Sequence, residues 1–148
     1  MTVTSGQVAA FRAVLTADDE AFNRLSAAPG VAGGEEVRTL IAAAFIAAAQ
    51  RRFPPGWSSG DVVKFVGHIR ARNEGAHQDL DATAAEQMLL SILRGQPMGG
   101  EFDENTKGYA QVALLAELVR DFSEQELTAF IAHAREQADT WLAYQSPR

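Results

Sequence analysis

The stretch Val37–Arg52, VRTLIAAAFIAAAQRR, decides how the rest of the chain is read. Its centre, Leu40–Ala49, is apolar without interruption, and six of those ten residues are alanine. A helix whose middle turns are apolar on every side must be surrounded by protein or by lipid. Crossing a bilayer takes about 20 apolar residues, so this run is too short for a membrane span. Glu35 and Glu36 precede it and Arg51 and Arg52 close it, the arrangement of charge that suits a helix dipole. The alanines make the helix thin, so neighbours can pack close. The stretch therefore predicts a central helix, about residues 35–52, inside a helical bundle.

Working outward, composition agrees. The 148 residues predict one domain, 1–148. The 27 alanines, with few β-branched residues outside 62–69, point to an all-α class. There is no cysteine, which excludes disulfides, thiolate ligands and a cysteine nucleophile. Met1–Gln7 is polar and has neither the basic start nor the apolar core of a signal peptide, so the expected compartment is the cytoplasm. Eleven arginines against two lysines, beside so much alanine and glycine, suggest a GC-rich bacterial source.

Capping signatures divide the remainder. Thr4 and Gln7 form a capping box, after which Val8, Phe11, Val14 and Leu15 make one stripe. Thr16 reads as the cap of a second helix bearing Ala21, Phe22 and Leu25, which Pro29-Gly30 ends. The alternative is one helix over residues 5–28 bent near Thr16, since the stripe 8, 11, 15, 22, 25 keeps register; two helices, or one with a break, is the expectation. Gly30–Gly34 leads into the central helix; no strand precedes it and Glu35-Glu36 would repel an anion, so it reads as a connection and not a phosphate cradle. Phe53-Pro54-Pro55-Gly56 stops that helix.

Ser58 and Asp61 form the next box, with Trp57 stapled on Val62. The segment behind it fits either a strand, with Val63, Phe65 and Ile69 on one face, or a helix, with Val62, Phe65, Val66 and Ile69 together. The cap in front favours the helix. Asp81 caps the following helix and Gly95 ends it; Asp103 starts another, which Gly108 would delay. Ser123 and Glu126 begin the last, leaving 145–148 as a frayed tail. The expected architecture is a single-domain bundle of five to six helices. Its anchors are Phe11, Phe22, Leu40, Ile41, Phe45, Phe65, Ile69, Leu89, Ile92, Leu115, Phe130 and Trp141.

Net charge is −6, unevenly spread. Between 51 and 72 stand Arg51, Arg52, Lys64, Arg70 and Arg72 against Asp61 alone, a local surplus of +4, while the rest of the chain sums to −10. With His68, these five basic residues form a candidate patch for an anionic partner, although such a segment also serves to neutralise acidic neighbours in its own fold.

Other chemistry is not spelled out. No two of His68, His77 and His133 have metal-ligand spacing, and the cap role of Asp81 competes with a loop site at His77–Asp81. Asp103–Gly108 resembles the start of a calcium loop, but Lys107 stands where a ligand belongs. There is no Gly-x-Ser-x-Gly, and Ser91 lies in an apolar stripe. Neither a catalytic residue, nor a metal, nor a cofactor is assigned.

Ala44–Phe53 followed by Gly56 and Asp61-Val62-Val63 resembles the opening of the TetR-type helix-turn-helix head. That resemblance implies a DNA-binding regulator using the basic segment 51–72. The family's Ala-Gly-Val turn and recognition helix are replaced here by His68-Ile69-Arg70 and an acidic loop. An acidic chain also gains little from phosphate charge, so nucleic acid is not the expected partner. The leading expectation is a non-enzymatic interaction or regulatory module whose partner is a second copy, as a homodimer, or another protein. A small-ligand or enzymatic bundle, which would need a buried histidine or carboxylate in a closed pocket, is the alternative.

Overall fold

Capping decides where the helices begin. In the computed structural model, which describes residues 1–31, 34–72, 80–98 and 101–145, the start signals close as hydrogen bonds. The Thr4 hydroxyl accepts from the Gln7 N–H at 3.1 Å while the Gln7 amide oxygen accepts from the Thr4 N–H at 2.9 Å. Ser58 and Asp61 exchange the same pair of bonds at 2.9 and 3.3 Å, and Ser123 and Glu126 both of theirs at 3.0 Å. Asp81 accepts from the Ala84 N–H and Asp103 from that of Thr106. Each bond satisfies a donor that the first turn of a helix leaves without an internal partner.

The described residues form seven helices and no strand: α1 (Ser5–Leu15), α2 (Asp19–Ser26), α3 (Gly34–Arg52), α4 (Ser59–Arg72), α5 (Ala82–Arg94), α6 (Glu104–Leu118) and α7 (Glu124–Gln145). The all-α class stands, and the count of five to six is corrected to seven. Residues 5–28 are two helices because α1 ends in a Schellman motif. The Asp18 N–H donates to the Ala13 carbonyl at 2.9 Å and the Ala17 N–H to that of Val14 at 3.2 Å, with Ala17 in the left-handed region at φ +56°. Asp18, not Thr16, then caps α2 by accepting from the Ala21 N–H; the Thr16 hydroxyl bonds back to the Arg12 carbonyl. Gly108 does not delay α6, and Gln145 belongs to α7; the rest of the expected tail, like His77 and the loop around it, lies outside the described residues.

The helices group into two compact units, Met1–Ala47 with Val119–Arg148, and Ala48–Leu118. In the first, α1 packs on α2 and α7. The segment before α1 is strapped to α7. Val3, fully buried, donates its N–H to the Asp139 carboxylate and accepts at its carbonyl from Arg135, both at 2.8 Å. Arg12 reaches across to the Thr128 hydroxyl at 2.8 Å. Gln7, 2% exposed, also donates to the Gly30 carbonyl at 3.1 Å, so one side chain both caps α1 and ties down the turn after α2. Gly6 is explained by proximity, since a Cβ there would meet Val31 at 3.0 Å.

In the second unit, α4 packs on α5 and α5 on α6. Val62, Phe65, Val66 and Ile69 are all buried, and Val63 is half exposed. That is helical spacing, so the strand alternative for this segment falls.

Within Leu40–Ala49 six residues are buried and four half-buried; none is exposed. Of the expected anchors, Phe11, Leu40, Phe45, Phe65, Ile69, Leu89, Leu115 and Phe130 are buried. Ile41, Ile92 and Trp141 are only half-buried, and Phe22 is wrong: it is 38% exposed, on a helix with no buried residue. Once α1 stops at Thr16, α2 leaves on its own axis and the stripe that ran 8, 11, 15, 22, 25 no longer faces one neighbour.

Candidate functional site

The most elaborate surface feature among the described residues grows out of the stop after α3. The Phe53 N–H makes the last helical bond, to the Ala49 carbonyl at 2.9 Å. Pro54 has no N–H to continue. Its carbonyl instead accepts from the Trp57 N–H at 3.2 Å, closing a turn with Pro55 second and Gly56 third at φ +103°. This is a type II turn, which asks for proline and glycine at those two places. Ser58 then caps α4, so the end of α3 and the start of α4 flank a short bend.

Between them lies an open cleft of about 380 Å³, walled by Phe53, Pro54, Pro55, Trp57 and Phe65 and edged by Arg52, Asp61, Lys64 and His68. Phe53 and Phe65 meet edge to face, with centroids 5.5 Å apart. The Arg52 guanidinium lies 5.0 Å from the Phe53 centroid and 5.2 Å from that of Phe65. A guanidinium held against ring faces keeps its in-plane N–H groups for an acceptor. Trp57 is half-buried, and the Arg94 guanidinium stands 5.9 Å from its ring. Asp61, Lys64 and His68 share one side of α4 at spacings of three and four. All three are exposed, and Asp61 is engaged by the cap at Ser58.

The basic patch read from the sequence is thus divided. Arg52, Lys64 and His68 come together at the cleft; Arg51, Arg70 and Arg72 do not line it. Arg72 forms an ion pair with Glu117 of α6, whose side chain is only 7% exposed, so this basic residue neutralises an acidic neighbour in its own fold. Sequence reasoning missed the walls. Phe53, Pro54, Pro55 and Trp57 read as a helix stop and a cap flank, and Phe65 as core; the aromatic and proline content of that stop was the available signal.

The remaining candidates have local roles. His133 is exposed on α7. Ser91 donates its hydroxyl to the Gln96 carbonyl, beyond the left-handed Gly95 (φ +65°) that ends α5. A second depression, of about 370 Å³, is lined by Met98, Glu101, Phe102, Asp103 and Lys107. There Lys107 pairs with Glu104 at 2.8 Å. Hydrogen bonds from the Thr106 N–H and hydroxyl, then from the Asn105 N–H, hold the Asp103 carboxyl below its ordinary pKa. Among the described residues, no group of three or more histidine, aspartate and glutamate side chains is placed to hold a metal ion, and no helix is long and apolar enough to cross a membrane.

Compared with known proteins, the chain matches no family model, no curated protein and no solved structure.

Proposed function

We propose that this chain is a non-enzymatic interaction module of a bacterial cytoplasm, and that it grips an acidic, aromatic-bearing segment of a protein partner in the cleft between α3 and α4. One observation carries the reading: Arg52, Lys64 and His68 surround an apolar floor built from prolines, Phe65 and Trp57. Cations on the rim steer and register an acidic segment, while a ring or aliphatic side chain buried on the floor supplies the affinity.

Magnitude argues for a protein segment over nucleic acid. A DNA-binding surface typically neutralises on the order of 6–10 phosphates. The cleft offers two fixed cations and His68, with Asp61 set among them, and the charge of Arg72 is already met by Glu117.

The test uses Trp57 as reporter in a Trp141→Phe background, since the chain has two tryptophans. Titration with an acidic peptide carrying one phenylalanine should shift Trp57 emission saturably. The shift should weaken as salt is raised and disappear in Lys64→Glu. An emission spectrum unmoved by excess peptide, or moved equally in Lys64→Glu, overturns the reading. Salt-sensitive retention on heparin, with no response to the peptide, would favour DNA instead.

A further inference from the structure

The helix that disappointed as an anchor has the chemistry the cleft asks for. Asp18, Asp19 and Glu20 are all exposed at the start of α2. Asp18 is occupied as the cap, accepting from the Ala21 N–H at 3.1 Å, which leaves Asp19 and Glu20 for an outside partner. Phe22 follows Asp19 by three residues, so the two project from adjacent positions on one side of the helix. Seven of the eight phenylalanines are buried or half-buried; Phe22 alone is exposed. Together with Ala21 and Leu25, both half-buried, it gives α2 an apolar side that the fold does not fully cover.

We infer that the occupant of the cleft is α2 of a second copy of this chain, with Phe22 laid on the floor formed by Trp57, Pro54 and Pro55 and Asp19 set against Lys64 and Arg52. This rests on reading the cleft as a site for acidic segments, and adds that the chain carries its own ligand. The argument is complementarity of two kinds. The acidic start of α2 matches the one region of the sequence with a positive surplus, and its one exposed phenyl ring matches a floor of rings and prolines. A patch meeting a different patch on the next copy is a heterologous contact. It closes into a finite assembly when the second copy returns the same contact to the first.

The test is charge reversal followed by light scattering over a concentration series up to the sub-millimolar range. The wild-type chain should gain mass with concentration and lose it in high salt. Asp19→Lys and Lys64→Asp should each weaken association by about tenfold or more, because each sets like charges face to face. An equimolar mixture of the two variants should associate again, since reversed charges then face reversed charges while the native acid still meets the native lysine. Phe22→Ala should weaken association without restoring it in any mixture.

A chain that stays monomeric throughout, or a mixture that fails to recover, overturns the inference. The peptide titration separates its failure from that of the proposed function: a monomeric chain whose Trp57 still responds to acidic peptide has the binding site without the self-pairing, and one that does neither has lost both.

Discussion

Replacing Ala17 with glycine should stabilise the protein, and the amount can be worked from the backbone. Ala17 sits at φ +56°, held there by the two Schellman bonds from Asp18 to Ala13 and from Ala17 to Val14. The left-handed conformation costs an L-residue with a Cβ roughly 1–2 kcal/mol, and costs glycine nothing. Against this, glycine in the unfolded chain has more freedom to lose, about 0.5–1 kcal/mol. Ala17 is exposed, so deleting its methyl removes little burial. The balance is a gain of about 0.5–1 kcal/mol, or about 1–4 °C in midpoint for a chain of this length.

Gly95 supplies the mirror experiment. It ends α5 at φ +65°, and a Cβ there would meet nothing within 4 Å, so Gly95→Ala carries the same balance with its sign reversed and should lose about 0.5–1 kcal/mol. Urea unfolding of both variants against wild type is the assay, with the midpoint moving and the slope unchanged. Loss of stability in Ala17→Gly, or none in Gly95→Ala, refutes the account of how these helices end.

Four further outcomes are expected. Gly67→Ala, in the exposed interior of α4 with nothing within 4 Å of the new methyl, should gain about 0.5–1 kcal/mol by thermal unfolding, from helix propensity alone. Gln7→Leu should cost about 1–3 kcal/mol in urea, because the Gly30 carbonyl and the Thr4 N–H both lose the partner that Gln7 provides. Gly56→Ala, forced to φ +103°, should cost about 1–3 kcal/mol and shift Trp57 emission as the turn under the cleft distorts. Asp103 has its folded pKa lowered by its bonds to Thr106 and Asn105, so its contribution is complete above the unfolded pKa and is lost as pH falls through the folded one. Its carboxyl carbon should therefore titrate in NMR below the ordinary aspartate value of about 4, and Asp103→Asn should remove that acid-side dependence.

The helix starts were legible because a capping box is a local device. Thr4 with Gln7, Ser58 with Asp61 and Ser123 with Glu126 each need only two residues three positions apart, and the bonds formed as their spacing implies. The helical reading of Val62–Ile69 was legible for a related reason, since spacing along the chain decides which side chains share a face. The stop at Phe53–Gly56 was readable too, because proline has no N–H to continue a helix and disfavours helix at the residue before it, whatever surrounds them.

Tertiary structure decided what depends on residues far apart in sequence. The break expected near Thr16 is made by local bonds from Ala17 and Asp18, but the left-handed φ that an ordinary alanine takes there is visible only in the structure. Once that break turned α2 onto its own axis, Phe22 emerged from the core in which its periodicity had placed it. The basic segment announced a charge but not its distribution. Glu117, 45 residues away, takes up Arg72, while the rings of Phe53 and Phe65 hold Arg52 at the cleft. Local hydrogen bonds and φ preferences are written into short stretches of chain; which charges are neutralised and which apolar sides are covered depends on the neighbours that folding supplies.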